Sequence, residues 1–329
     1  MWWSTQNERV HSTLASRSNV VGMPLPARPL ADALGNETVV LDGGLSNQLQ
    51  DQGQDLSGEL WSARLLADAP GQLVAAHIAY LRAGARVLIT SSYQASFDGF
   101  ARSGVGAERA AWLLRSSVLL ARLASDREGT PAWVAASVGP YGAALADGSE
   151  YRGRYGLSIR ELERYHRPRV EALAQAVPDV LALETVPDID EAQALLRAVA
   201  GTGVPAWLSY TIKADTTRAG QPLPDAFAVA AGNDQVIAVG VNCCHPADAG
   251  PAVEIAAKVT GKPVVVYPNS GEDWDAGARG RDGASLFEPS AARAWRDAGA
   301  ALIGGCCRIG PAQITAVARA LRHGDLAAD

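Results

Sequence analysis

Cysteine is scarce: four in 329 residues, too few for the disulfide framework that holds secreted domains without a large core. Apolar residues are plentiful, yet no run approaches the ~18 that a membrane helix needs, because each is cut by charge, glycine or proline. A secretory leader is missing too, since Met1-Trp2-Trp3 leads into polar Ser4 to Arg9 with no apolar core. A reducing, cytoplasmic location is therefore expected. Lysine is nearly absent, with only Lys213, Lys258 and Lys262 among the 29 cations. Against Asp+Glu 35 the net charge is −6, and no basic stretch is long enough to track a phosphate backbone. Neither nucleic acid nor a membrane is expected as a partner, and these features leave the oligomeric state unknown.

Residues 1–30 have no sustained hydrophobic period and carry Pro24, Pro26 and Pro29. That pattern predicts a flexible N-terminal arm, within which Met23 is a second candidate start. From 31 onwards, short β-branched apolar runs alternate with longer stretches of helical period, the signature of repeated βα units over a parallel sheet. Eight runs are found, at 38–42, 86–91, 132–137, 180–184, 206–211, 236–242, 263–267 and 300–303. Apolar residues at i, i+3 and i+4 mark helices over 71–83, 107–124, 159–176, 189–200 and 251–259. Eight α/β units predict a single (β/α)8 barrel of the TIM type, one domain over 31–329. The competing doubly wound sheet would carry GxGxxG after its first strand, and Asp42-Gly43-Gly44-Leu45 is not that pattern.

A barrel builds its active site from the C-terminal ends of its strands and the loops that follow. Those ends read Asp42-Gly43-Gly44, Thr90 to Tyr93, Ser137 to Pro140, Glu184-Thr185, Tyr210-Thr211, Asn242 to His245, Tyr267 to Gly271 and Gly304 to Arg308. All four cysteines fall there, as the pairs Cys243-Cys244 and Cys306-Cys307. Thiols converging in a reducing compartment point to zinc, which takes tetrahedral sulfur coordination. The absence of a CxxC knuckle argues against a small structural zinc finger. Strand alternation would put Cys243 and His245 on one face and Cys244 on the other. Gly304-Gly305 would free the chain to turn both following cysteines towards one metal. Three protein ligands leave a fourth position open, as in catalytic zinc sites, and an open thiolate-bound zinc suits activation of a substrate thiol.

Asp42-Gly43-Gly44, Gly240-Val241-Asn242-Cys243, Tyr267-Pro268-Asn269-Ser270-Gly271-Glu272 and Gly304-Gly305-Cys306-Cys307-Arg308 together resemble the zinc-dependent homocysteine S-methyltransferases over about residues 30–322. Leu183 to Pro187 and Gly139-Pro140-Tyr141-Gly142 are more similar to the branch using S-methylmethionine or S-adenosylmethionine than to the betaine-using branch. Cobalamin-dependent methionine synthases carry a similar domain, but a single barrel without their folate and cobalamin modules is expected here.

The resemblance implies Zn2+ on Cys243, Cys306 and Cys307, with homocysteine sulfur as fourth ligand and a sulfonium as methyl donor. It further implies that Asp42, the Gly43 and Gly44 backbone and Glu184 hold the amino-acid end of homocysteine, with Asn242 beside the metal. Glu184 joins the three cysteines as the expected catalytic set. Cys244 reads as core, His245 as a surface residue, and Tyr93 and Tyr141 as a wall for the donor. Arg308 is expected either to brace the metal loop or to touch substrate. Two rival readings remain: a Schiff-base aldolase acting through Lys213, which follows strand five, and a thiol or zinc redox sensor built on Cys306-Cys307.

Overall fold

The computed structural model describes residues 25–56, 61–271, 273–275, 280–282 and 284–322. Most of the expected arm, Met23 with it, and Glu272 of the tyrosine-proline motif lie outside these residues. Eight parallel strands form the barrel: β1 (Val39–Val40), β2 (Val87–Ile89), β3 (Trp133–Val138), β4 (Val180–Val186), β5 (Ala206–Tyr210), β6 (Val236–Asn242), β7 (Val264–Tyr267) and β8 (Ala300–Ile303). Neighbours pair in parallel from β2 round to β8 and back to β1. A bridge between Leu41 and Val87 closes the ring, reinforced by Asp42 N–H donating to Val87 O at 3.1 Å.

Each strand is followed by an outer helix: α1 (Pro70–Ala83), α2 (Ala107–Glu128), α3 (Ile159–Ala174), α4 (Ile189–Val199), α5 (Leu223–Ala231), α6 (Pro246–Thr260), α7 (Ala291–Asp297) and α8 (Pro311–Arg322). Their ends carry local signals: Pro70 in the first turn of α1, a Ser158/Glu161 capping box on α3, and left-handed Gly84, Gly129 and Gly261 after α1, α2 and α6. Short helices at Leu45–Asp51, Phe97–Arg102 and Tyr141–Leu145, and a hairpin of Ile212–Lys213 with Thr216–Thr217, decorate the C-terminal loops. Hydrophobic period is blind to such short pieces. Among the described residues no helix is long and apolar enough to cross a membrane.

Strands covered on both faces are apolar on both, and alternation sorts the two sides. Trp133 and Ala135, Val180 and Ala182, Trp207, Ala238, Val265 and Leu302 pack together inside the barrel, with Leu30, Ala33 and Leu34 of a short helix (Leu30–Leu34) against them at the N-terminal end. Val134, Leu181, Leu208, Val239 and Val266 face the helices. Extending the inner register upward brings Ser137, Glu184, Ser209, Asn242 and Tyr267 inward in turn. The interior thus changes from apolar to polar at the C-terminal mouth.

Candidate active site

β6 ends at Asn242, and the next residue breaks the strand register. Cys243 takes a left-handed backbone (φ 51), a costly conformation for a residue with a Cβ. The inversion turns Cys243 to the mouth beside Asn242 and sends Cys244, 0% exposed, into the layer between barrel and helices. His245 accepts a hydrogen bond from Ala247 N–H at 3.2 Å and caps α6. The expectation that Cys243 and His245 share a face therefore fails, because alternation stops one residue earlier.

Cys306 and Cys307 hang from the β7 loop: Cys306 N–H donates to Pro268 O at 2.8 Å and Cys307 N–H to Asn269 Oδ1 at 3.1 Å. The glycines before them serve close approach and not rotational freedom. A Cβ on Gly304 would lie 2.5 Å from Leu41 Cβ, and one on Gly305 2.2 Å from Ile309 Cγ2. In the same way Gly43 could not carry a Cβ, which would fall 2.2 Å from Ile309 O. The first and eighth loops are thereby pressed together, and the Tyr80 hydroxyl of α1 lies 3.0 Å from Gly44 O and 3.1 Å from Ile309 O.

The Sγ atoms of Cys243, Cys306 and Cys307 lie within 4.8 Å of one another, with Cys243 and Cys307 3.7 Å apart. Hydrogen bonds with Cys243 and then Cys307, and burial after these, hold the Cys306 thiol well above its ordinary range. Three sulfurs this close resist ionising together, and a divalent cation between them reverses the balance. The donor set therefore fits a metal ion, and the same set suits a soft one.

Two carboxylates lie nearby. Asp42, 1% exposed, accepts from Ile89 N–H at 2.8 Å through Oδ2, while buried Oδ1 has no partner. Burial holds its carboxyl well above the usual range. Glu184 accepts hydrogen bonds from the Ser137 hydroxyl and, at 3.0 Å, from Tyr267 OH; burial pushes its carboxyl up to about 7. Asn242, fully buried, locks the end of β4. Its Oδ1 accepts from Thr185 N–H at 2.7 Å and Ser209 Oγ at 2.6 Å, and its Nδ2 donates to Thr185 Oγ1 at 2.7 Å. Thr185 itself is left-handed (φ 58), an uncommon state for a β-branched residue. Of the glycine pair, Gly44 N–H donates to Ile309 O at 2.8 Å, so only the Gly43 amide is open to a ligand.

Tyr93 lies against Gly139 and beside Cys243, whose charge, after burial, raises its phenol. Tyr141 instead packs with Tyr155 and Tyr165 at 5.2 and 4.8 Å between ring centroids. The Arg308 backbone is left-handed (φ 63), and its amide donates to Asn47 Oδ1 at 2.6 Å. Lys213 is exposed in the hairpin after β5, which carries it out to solvent; the Schiff-base reading fails on that placement. Residue types alone did not single out Tyr151, whose hydroxyl hydrogen-bonds Cys243 Sγ at 3.1 Å. It sits with Glu150 on a 3-10 turn (Ser149–Tyr151) in the long loop after β3. The length of that loop on the C-terminal face was the available signal.

Residues 39–321 match the model of the family described as homocysteine S-methyltransferase. Homocysteine S-methyltransferase 4 of Zea mays is 45% identical over 307 residues, covering 87% of this chain and 90% of that one. A selenocysteine Se-methyltransferase of Brassica oleracea var. italica is 38% identical, over 86% of this chain and 88% of its own. The crystal structure of the homocysteine methyltransferase MmuM from Escherichia coli, in its metallated form, superposes with TM-score 0.79 at 40% identity, covering 89% of this chain and 99% of that one.

Proposed function

The chain belongs to the homocysteine S-methyltransferase family, and from that premise we propose that it moves a methyl group from a sulfonium donor to homocysteine, giving methionine. The donor is S-methylmethionine or S-adenosylmethionine, and the resident metal is zinc. The observation that carries this reading is the meeting of Cys243, Cys306 and Cys307 within 4.8 Å, beside two buried carboxylates. Cys243, Cys306 and Cys307 hold the ion. Zinc bound there supplies a lowered pKa for an incoming thiol, so that the acceptor is a thiolate at neutral pH.

The chain's own groups do the positioning. Asp42 Oδ1, which has no protein partner, and Glu184 receive the acceptor's ammonium, and the Gly43 amide donates to its carboxylate. Asn242 keeps Glu184 aimed by fixing Thr185, and Tyr151 orients the Cys243 sulfur. The acceptor sulfur then displaces the donor in line: its bond to the methyl carbon forms as the donor C–S bond breaks, and that electron pair stays on the donor sulfur. The leaving group is a neutral thioether, so no general acid is needed, and alignment supplies much of the rate. A reducing, cytoplasmic setting suits thiols kept for this purpose. The redox-sensor and aldolase readings find no support in the three relatives described above, which are named as methyltransferases.

Purified protein given homocysteine and each labelled donor should form methionine and carry about one zinc per chain. Cys306→Ala should lose both zinc and activity, whereas Cys244→Ala should keep both, because its thiol faces the helices. Full methyl transfer after complete chelation would overturn the assignment.

A further inference from the structure

We propose that the Glu150 carboxylate is the counter-charge that receives the cationic methyl donor, selecting a sulfonium over a neutral thioether. This rests on the sulfonium-donor reading above. The 3-10 turn carrying Glu150 is pinned to the thiol cluster, because the neighbouring Tyr151 hydroxyl reaches Cys243 Sγ at 3.1 Å. It is seated from the other side by Gly142, where a Cβ would fall 2.4 Å from Glu150 N and 2.7 Å from Ser149 C. Glu150 is thus held at the rim of the thiol cluster by both neighbours.

Its side chain is only partly compensated there, by its own backbone N–H. Glu150 Oε2 is buried without a hydrogen-bond partner, and among the described residues Glu150 forms no ion pair. Its surroundings are mostly anionic or neutral: Asp147 on the same loop, Cys243, and the phenols of Tyr93, Tyr151 and Tyr155. Of the cations around the loop, Arg152 acts on Asp147 and the Arg218 guanidinium lies 5.6 Å from the Tyr151 ring; among the described residues neither makes an ion pair with Glu150. Burial, with the charges of Cys243 and Asp147 adding to it, pushes the Glu150 carboxyl up to about 7. A buried acceptor without a partner is expensive, and a cationic ligand removes the deficit. Asp42 and Glu184 are already committed to the acceptor's ammonium, so Glu150 is the carboxylate left for a second positive charge.

The aromatic surroundings agree, since Tyr93 and Tyr151 flank the same mouth and a sulfonium over a phenol ring gains further attraction. The chemistry also disposes of the product. Once the methyl group has moved and the donor sulfur has kept the bonding pair, the donor is neutral, and its attraction to Glu150 is gone. The carboxylate therefore favours loading of donor over rebinding of product. It stabilises the charge of the bound donor more than that of the transition state, so its effect falls on donor affinity and KM, and its removal does not lower kcat.

The test uses zinc-loaded protein, S-methylmethionine as cationic probe and methionine as its neutral counterpart. Wild-type protein should bind S-methylmethionine at least about tenfold more tightly than methionine. Glu150→Gln should raise the S-methylmethionine KM and Kd at least about tenfold while the methionine Kd and homocysteine KM stay within about twofold. Glu150→Asp should recover part of the loss. Unchanged melting temperature and zinc content identify a folded variant. Equal wild-type affinity for the two probes overturns the proposal whatever the variants do, as does unchanged donor KM in folded Glu150→Gln or a parallel loss for methionine. If wild-type protein methylates homocysteine from neither sulfonium, the donor reading itself has failed; if it does so and Glu150→Gln matches it, only the role of Glu150 has.

Discussion

Asn242→Ala would remove three buried hydrogen bonds at a single position. Thr185 N–H and the Ser209 hydroxyl lose their acceptor, at 2.7 and 2.6 Å, and Thr185 Oγ1 loses its donor at 2.7 Å. Each buried polar group left without a partner costs about 1–3 kcal/mol, although the two hydroxyls can turn elsewhere and the Thr185 amide cannot. The amide alone therefore costs about 1–3 kcal/mol, and the total rises to at most about 9 kcal/mol if neither hydroxyl finds a new partner. The same amide holds Thr185 at φ 58, a conformation that a β-branched residue keeps only when its surroundings dictate it. Released, Thr185 relaxes and swings the preceding Glu184 off its aim. Denaturant midpoints of metal-free protein give the stability loss, and the homocysteine Kd gives the loss of aim. A second variant separates pinning from simple cavity formation. In a Thr185→Gly background both the strain and the Oγ1 bond are gone, so Asn242→Ala should cost at least about 1 kcal/mol less than in wild type. A loss under about 1 kcal/mol for the single variant, or strict additivity of the two, would refute the argument.

Gly240→Ala should yield no folded barrel, because the new Cβ would fall 1.8 Å from Val265 O on the neighbouring strand and backbone cannot yield that far; a far-ultraviolet spectrum and melting curve like wild type's would contradict this. Glu184 makes metal-free stability depend on pH. Its folded carboxyl titrates at about 7 against 4.5 as a free group, so the fold binds this proton more tightly than the unfolded chain. The contribution is fully present below pH 4.5 and is lost as pH rises through about 7, by about 3 kcal/mol. Glu184→Gln should remove that part of the slope, with unfolding free energies compared at pH 4 and 8; parallel curves for the two proteins would exclude it.

How far the site was legible varies with the residue. Glu184 is legible as the carboxylate at the end of the fourth run and through the family resemblance, whereas its inward direction, shared with Val180 and Ala182, is the structure's. Cysteines at two strand ends point to a shared metal, and the fold brings Cys243 together with Cys306 and Cys307 but not Cys244. Sequence cannot say whether a glycine is there for its φ or for what presses against it, and at Gly304-Gly305 it is the second. Tyr151 and Glu150 are not legible in the sequence, because an irregular loop has no period from which the direction of a side chain follows. Lys213 looked placed for chemistry because its hairpin is too short to register as structure.

The sequence by itself determined the eight strand-helix units, the single barrel and the face on which its chemistry sits, because these depend on hydrophobic period and chain direction, both local. Only the tertiary structure decided which of two adjacent cysteines reaches the mouth. That choice rests on one left-handed residue after β6, held by Cys243 N–H donating to Tyr267 O at 3.2 Å on the neighbouring strand. A bond between groups this far apart in sequence exists only once the ring has closed.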